Sequence, residues 1–506
     1  MRRMGHDDSA GVLLRDAELA VDVPGADTWH ADIRVSGGIV AEIAPSLGRR
    51  PGEQVIDCAG GAVIPGLCDH HLHLHAMAAA RASVRCGPPG VTSLTELTEV
   101  LAAAVPDDAG WIRGTGYVES VAGDLDAAAL DRMRAGVPVR VQHRSGALWI
   151  LSTAALRALG LAGTGDAGVT GPAAGHPGVE RDAAGRPTGR LWRADDWLRT
   201  QLGARTPVTI YRRPFPSLTD VGTELLRYGI TAVTDATPDL ADAAIAHISD
   251  SMLRAELPQR VRLLGVPLGV PPPSVPGLTV GPYKIVLADS GMLTYPELTG
   301  RITAAHGSGR PVAVHCVTRE ALVLLVAALG ETGTLKGDRV EHAGIVPEEM
   351  IADLSLLRVR VVTQPGFLAD RGDDFLRGLP AAEHADLYRC GSLLRAGVPV
   401  ALASDAPYGP GDPWAVMAAA ASRRTASGAL AGAGERISFE AALNAYLGAP
   451  EDPGGAPRRI RAGLPADLVV LRDPLALLPA AHQGVIPESD SGPVRAVVAA
   501  GRLTLS

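Results

Sequence analysis

The chain has 506 residues, 46% hydrophobic and 20% charged, with a net charge of -8 and an isoelectric point near 6.0. That is a soluble globular composition, long enough for one large domain plus smaller ones, and it lacks the basic excess of nucleic-acid binders. No apolar run reaches a membrane span, Met1–Ala10 has no apolar stretch behind Arg2 and Arg3 to predict a signal peptide, and the scattered Cys58, Cys68, Cys86, Cys316 and Cys390 fit a reduced, cytoplasmic chain.

The first 64 residues read as short β runs. Ala31–Val35 alternates, Ser36-Gly37-Gly38 turns, and Ile39–Ile43 alternates again, which is a hairpin signal. Gln54–Ile56 and Ala62–Ile64 continue in strands. Matching β runs stand far away at Leu468–Leu471 and Val494–Ala499, with a turn at Gly501-Arg502. Neither end makes a good core alone, so a small β-sandwich domain built from both termini, 1–64 and 455–506, is expected.

Next comes Val63–His75, V-I-P-G-L-C-D-H-H-L-H-L-H, with His70, His71, His73 and His75. On an extended strand, residues two apart share a face. Asp69, His71, His73 and His75 therefore fall on one side, and two histidines at that spacing can close on one metal ion. Cores hold few imidazoles, so this density asks for something to bind them. His70 points to the other face and His75 lies past the strand end, so both are expected outside the metal shell.

From residue 217 to 454 strand and helix alternate. Helix Leu218–Tyr228 precedes strand Ile230–Thr234, and strands Arg260–Gly265 and Tyr283–Leu287 follow. Helix Pro296–Ala305, strand Pro311–His315, helix Arg319–Leu329, strand Asp338–His342, helix Pro347–Leu354 and strand Arg358–Gln364 come next. A helix at Glu383–Leu394, strand Val398–Ala403 and helix Pro413–Ala421 close the series. With Val63–Cys68 this makes eight β runs in a repeating βα unit, and it predicts an α/β protein with a (β/α)8 TIM barrel over 65–75 and 217–454. Residues 76–216 break the period. They predict a large insertion after barrel strand one, a lid or substrate-selecting subdomain. Within it, Gly163–Gly189 reads either as part of that subdomain or as a Gly-rich linker.

Barrel chemistry sits at the C-terminal strand ends. Those ends carry His71 and His73 (strand one), Lys284 (strand four), His315 (strand five), His342 (strand six) and Asp405 (strand eight). Imidazoles and a carboxylate from four strand ends predict one or two divalent ions, with zinc the best match. Asp405 is placed to bind metal, take a proton from water and pass it to a leaving nitrogen. A charged Lys284 is a poor neighbour for cations; it serves either as a carbamate, N6-carboxylysine, bridging two ions, or as a plain lysine paired with Asp289. Two ions are favoured, and His342 is a second catalytic candidate.

These motifs resemble the amidohydrolase superfamily, closest to its family 3, the N-substituted formamide deformylase-like metal-dependent amidohydrolases. P-G-L-C-D-H-H-L-H is similar to the family's first metal motif, V-A-V-H-C and V-E-H-A to its strand five and six motifs, and L-A-S-D-A-P-Y to its strand eight motif. Y-K-I-V-L-A-D-S-G lies where two-metal relatives carry a carboxylated lysine, and R-A-G-L-P-A-D-L-V-V-L-R-D is similar to the return into the small β domain. The resemblance implies a metal set of His71, His73, Lys284, His315, His342 and Asp405. Ala147 stands where relatives have His, and Thr318 and Arg319 where they often have Gly-Asp. A-D-S-G departs from the usual Asp-Gly, which leaves the register of Asp289 open. Trp111, Arg144, Asp289, Arg319 and Gln364 are the candidate substrate contacts; Tyr117 and Trp149 are either pocket walls or core.

The leading expectation is a hydrolase of a non-peptide C–N bond in an amide, N-formyl or N-acyl small molecule. The alternatives are a mononuclear-zinc aminohydrolase of a cyclic amidine, with Glu320 a weak candidate for its ring-protonating acid, and a hydrolase of cyclic imides or lactams. A non-catalytic metal-binding scaffold is the third class. The expected partners are the amide-type substrate and, as a candidate assembly, a second copy in a homodimer, with neither nucleic acid nor membrane.

Overall fold

Gly37 and Gly38 take φ of +58° and +79°, as a two-residue hairpin turn requires. They join strands Trp29–Ser36 and Ile39–Ala44, with Val35 opposite Val40. The structure is a computed structural model that describes residues 11–19, 29–161, 176–205, 215–288, 292–478 and 492–505. It divides into two compact units, Met1–Leu74 with Leu218–Ser506, and His75–Ser217.

In the first unit, Val12–Leu19 and Gln54–Asp57 complete the hairpin's sheet. A second sheet runs in the order Arg502–Leu505, Val494–Ala499, Leu468–Leu471, Val63–Pro65. Val12, Leu14, Ile33 and Val35 from the first sheet and Val63, Leu468, Val470 and Val498 from the second belong to one buried cluster. The two ends of the chain share a core.

The expected single strand Val63–Cys68 is divided. Val63–Pro65 belongs to the terminal sheet, and the next strand starts at Leu67. Between them, a Cβ on Gly66 would lie 2.1 Å from Thr231 Oγ1. Only glycine passes so close to its neighbour.

Eight of the remaining strands are numbered β1 (Leu67–Leu72), β2 (Ile230–Asp235), β3 (Arg260–Leu263), β4 (Tyr283–Val286), β5 (Val312–Cys316), β6 (Arg339–His342), β7 (Arg360–Thr363) and β8 (Val400–Leu402). They form two parallel arcs, one ordered Leu278–Val280, β3, β2, β1 and the other β4 through β8. At one margin Lys284 N–H donates to the Leu264 carbonyl at 3.2 Å, and at the other Asp405 N–H donates to the His71 carbonyl at 2.8 Å. Helices follow most of these strands, and the apolar faces of both meet: Ile285, Leu287, Val312, Val314 and Val340 pack with Leu298, Ile302, Leu322 and Leu325. Strand alternation then puts Lys284 on the face opposite Ile285.

Other elements also differ from the sequence expectation. Glu383–Leu394 is not one helix: a 3-10 turn spans Ala381–Asp386 and a short helix Gly391–Arg395, and the longer helix lies earlier, at Gly366–Gly378. Gly366, Gly372 and Gly378 lower its helix propensity, and its kink at Arg371 breaks the apolar period. Helix Asp242–Leu253 and the three-residue strand Leu278–Val280 carry too short or too weak a pattern to read from sequence.

The second unit holds a six-stranded mixed sheet, ordered Val179–Arg181, Pro187–Trp192, Leu148–Leu151, Val139–His143, Ile112–Tyr117, Val84–Arg85. It has its own buried clusters, one around Leu97, Ile112, Leu130 and Val141, the other around Trp111, Trp149, Leu156 and Leu191. Of the Gly-rich tract, residues 162–175 fall outside the described residues, while Val179–Arg181 and Pro187–Trp192 pair as antiparallel strands. Among the described residues no helix is long and apolar enough to cross a membrane.

Candidate metal centre

All six residues of β1 are buried. Asp69 and His71 share a face as alternation dictates, but the strand ends at Leu72 and helix Leu74–Arg81 begins at once. The one-face run therefore stops before His75, which sits in the helix and stacks on Phe215 at 4.4 Å between ring centres. His73 lies between strand and helix, its N–H donating to the Ala406 carbonyl at 2.9 Å. His70 takes the opposite face, fully buried, with Nδ1 3.6 Å from Cys68 Sγ.

Four strand ends meet around Asp405. His73 Nε2 lies 3.2 Å from Asp405 Oδ1, His71 Nε2 lies 3.5 Å from the same oxygen, and His342 Nδ1 lies 3.8 Å from Oδ2. The ring centre of His342 is 4.6 Å from that of His71 and 4.4 Å from that of His315. His71 Nε2 and Asp405 Oδ1 are buried without a hydrogen-bond partner, which is costly unless something else occupies them. One ligand atom each from His71, His73 and Asp405 lies within 4.8 Å of the others. Donors around a tetrahedral ion with ~2.1 Å bonds stand ~3.4 Å apart, so the separations of 3.2 and 3.5 Å at Asp405 Oδ1 suit a metal.

The imidazoles are held by their other nitrogens. His71 Nδ1 donates to Glu341 Oε2, His342 Nδ1 donates to Gln364 Oε1 at 2.9 Å, and His73 Nδ1 is hydrogen-bonded to Thr237 Oγ1 at 3.0 Å. The bonds to Glu341 and Gln364 fix the tautomers of His71 and His342, and all three fix ring angle, turning Nε2 toward a ligand. Arg339 forms an ion pair with Glu341 and donates to the His70 carbonyl. Burial, reinforced by Lys284, pushes His71 well below its ordinary range; burial and His315 do the same to His342. That direction favours the neutral imidazole that metal ligation needs. Burial lifts the Asp69 carboxyl to about 6. Its Oδ1 accepts the N–H groups of His71 and Ser404 at 3.1 and 3.3 Å, tying β1 to the Asp405 loop. His342 and Asp405 take φ of +70° and +55°, a conformation costing ~1–3 kcal/mol in such residues and found where function demands it.

Lys284 is buried on the inner face of β4. Burial lowers its ammonium, opposed by the carboxylates of Glu341 and Asp405. Asp289, its alternative partner, lies outside the described residues. Gln364 is buried and orients His342. Arg319 pairs with Asp386 at 3.1 Å. Thr318, where the family often has Gly, caps helix Arg319–Thr332 through its hydroxyl. In the second unit, Trp111 and Trp149 sit in the unit's own core, and Tyr117 is buried with its hydroxyl donating to the Gly123 carbonyl at 2.5 Å. Arg144 is half-buried, its main-chain N–H on the Tyr117 carbonyl.

Sequence reasoning missed Glu341, Thr237 and Asp235. Asp235 Oδ2 accepts Leu74 N–H at 2.8 Å and Oδ1 accepts Thr237 N–H at 3.0 Å, setting the turn that presents His73. Glu341 had a signal: a carboxylate between two buried valine strands, one residue before a strand-end histidine.

A family model described as "Amidohydrolase family" matches residues 54–505. An N-substituted formamide deformylase of Arthrobacter pascens is 28% identical over 498 residues, covering 88% of this chain and 90% of its own. A crystal structure of an uncharacterized metal-dependent hydrolase from Pyrococcus furiosus matches with a TM-score of 0.66 at 20% identity, covering 91% of this chain and 98% of its own. Its counterpart from Pyrococcus horikoshii gives 0.64 at 19%, covering 86% and 92%. Those two structures are similar to this chain in fold.

Proposed function

Because the chain belongs to the amidohydrolase family, and is thus a metal-dependent hydrolytic enzyme, we propose that it cleaves a non-peptide C–N bond in an amide, N-formyl or N-acyl small molecule. The observation that carries this reading is the convergence of His71 Nε2, His73 Nε2 and Asp405 Oδ1, with the far nitrogen of each ring tied down. The formamide deformylase likeness, spread over most of both chains, supports the bond type. In this reading the two arcs close as one (β/α)8 barrel, supported by the hydrogen bonds at both margins, and the terminal sheets form a sandwich over their common core. Residues 76–216 form the substrate-selecting subdomain, a role suggested by their place in the chain directly after the strand-one histidines.

His71, His73, His315, His342 and Asp405 are the groups that would hold metal, zinc by its preference for imidazole. When bound, the ion supplies Lewis acidity and makes water a better nucleophile. Asp405 accepts the attacking water's proton on its carboxylate and returns it to the leaving nitrogen, so amide and water become acid and amine. His342, with its Nδ1 proton on Gln364 Oε1, presents the Nε2 lone pair as one of those ligands; in a one-ion site the same lone pair would accept a hydrogen bond from the attacking water. Lys284, buried on the inner strand face, is the proposed carbamate that would hold a second ion. A mononuclear aminohydrolase is the second reading. It is favoured by one observation: among the described residues a metal-competent group contains only His71, His73 and Asp405. Against it, Glu320 is exposed on its helix and offers no buried ring-protonating acid.

The test is metal analysis with product identification on the zinc-loaded full chain. Near two zinc ions per chain, release of acid and amine from N-substituted formamides or N-acyl amines, and loss of one ion in Lys284→Ala support the proposal. One ion in a fully active enzyme with ammonia released from a cyclic amidine shifts it to the second reading. Hydrolysis that survives His71→Ala in metal-free buffer overturns both.

A further inference from the structure

Beyond the metal centre, the chain continues from β5 and β6 into a cavity of about 250 Å³. Val317, two residues after His315, and Gly344, two residues after His342, form one side; Ile345, Phe375, Leu379, Leu387 and Tyr388 line the rest. We propose that this cavity receives one uncharged apolar group of the substrate, a single ring or a branched alkyl chain carried on the nitrogen or acyl side of the scissile bond. The proposal rests on the C–N hydrolase reading above and adds the substrate's chemical class.

The walls are built for an apolar guest. Asp374 is the one carboxylate among the lining residues, and it is ion-paired with Arg377. A charged group entering here would lose water with no counter-ion to replace it. A cavity of ~150 Å³ lined by aliphatic side chains holds a benzene ring, so this one has room for a ring with a short extension and not for a peptide. The absence of a side chain at Gly344 is enforced, since a Cβ there would lie 2.7 Å from the Val317 carbonyl oxygen. That crowding brings together the two loops that leave the metal-bearing strands.

The far wall is held as firmly as the near one. Tyr388 takes a φ of +42°, a strained conformation for an aromatic residue. The fully buried Arg423 fixes it, donating to the Tyr388 carbonyl at 2.9 Å and to the Leu387 carbonyl at 2.5 Å. Tyr388 N–H donates to the Gly344 carbonyl and Ile345 N–H to the Val317 carbonyl, at 2.9 and 3.0 Å, so three loops form one rim. The Tyr388 ring lies 5.8 Å from that of Phe367 and 6.0 Å from that of Phe375. Burial raises its hydroxyl, and Arg371 and Asp405 are the charges that act on it.

The test compares kcat/KM for N-cyclohexylformamide and N-methylformamide in zinc-loaded wild type, Leu379→Trp and Phe375→Ala, with calorimetric binding of N-cyclohexylacetamide alongside. Methylene-scale changes in an apolar pocket alter specificity ~10–200-fold. The expected result is a fall of at least tenfold in the cyclohexyl-to-methyl ratio in Leu379→Trp. Should that variant not fold, Phe375→Ala decides, with a rise in the ratio for N-adamantylformamide over N-cyclohexylformamide. Hydrolysis with unchanged ratios in both variants overturns the pocket and leaves the C–N reading standing. No hydrolysis, but N-cyclohexylacetamide binding that weakens tenfold in Leu379→Trp, supports the pocket and sinks the C–N reading. Neither hydrolysis nor a change in binding overturns the pocket as well.

Discussion

Two buried clusters in the first unit each gather around a carboxylate and finish differently. Around Glu435, every carboxylate oxygen is answered: Oε1 accepts from Arg389 and from Ser392 Oγ at 2.9 and 2.7 Å, and Oε2 accepts Ser392 N–H at 2.9 Å. Asp386 is likewise shared between Arg389 and Arg319. Around Asp405, Oδ1 and the facing His71 Nε2 are buried without a hydrogen bond. A satisfied network rigidifies a fold, whereas two buried acceptors left facing one another in a chain of this family mark where a cation belongs. Burial and charge alone would not separate the two.

The largest effect is expected where the open cluster loses its carboxylate. Asp405→Asn should reduce kcat by ~10²–10⁴-fold while circular dichroism and melting stay near wild type; unchanged kcat/KM on an authentic substrate would remove Asp405 from the role of base. The converse test is Glu435→Ala, which breaks a buried, fully paired cluster and should cost about 3–5 kcal/mol, read as a lower melting temperature. If it instead abolished turnover without lowering stability, the contrast between the clusters would collapse.

Glu341→Gln sharpens the comparison from within the open cluster. Loss of a carboxylate behind a ligating histidine typically weakens metal ~10–100-fold, measurable by competition with a chelator whether or not a substrate is known. An affinity equal to wild type would make Glu341 a packing residue. The smallest effect concerns Asp412, the cap of helix Pro413–Ser422, which accepts Trp414 N–H at 2.9 Å and whose carboxyl burial raises from 3.8 to about 6. A raised carboxyl contributes stability that is present below pH 3.8 and lost as pH rises through about 6. Asp412→Asn keeps a capping oxygen and should therefore melt higher than wild type at pH 7.5 and not at pH 4; a pH-independent difference would contradict the buried carboxyl.

Much of this was legible in the sequence, for reasons that differ by element. The terminal strands showed because apolar residues alternate along them: Ala31, Ile33 and Val35 join the shared core, while Asp32 and Arg34 between them are buried by pairing with backbone N–H groups and with Glu53. His71, His73, His315, His342 and Asp405 showed because each ends an apolar run, and the structure brings them together. Thr237 did not show: a lone threonine after β2 has no pattern, and only the fold brings it to His73, 164 residues away. Helix Gly366–Gly378 was hidden by its own glycines and kink, while the Glu383–Leu394 stretch offered helix-forming residues to a segment that ion pairs hold as a 3-10 turn and a separate short helix.

The seam between β1 and β8 sets a schedule for the molecule's synthesis. Ser404 N–H meets Asp69 Oδ1 across 335 residues of chain, so at 5–20 residues per second the ribosome takes roughly 20–70 s to supply what β1 lacks. Throughout that interval the strand-one histidines exist without the aspartate that completes their site. A nascent chain can hold a metal ion at that pair only loosely, through two imidazoles. Tight loading therefore waits until the Ser404–Asp405 loop has been made and has docked on β1.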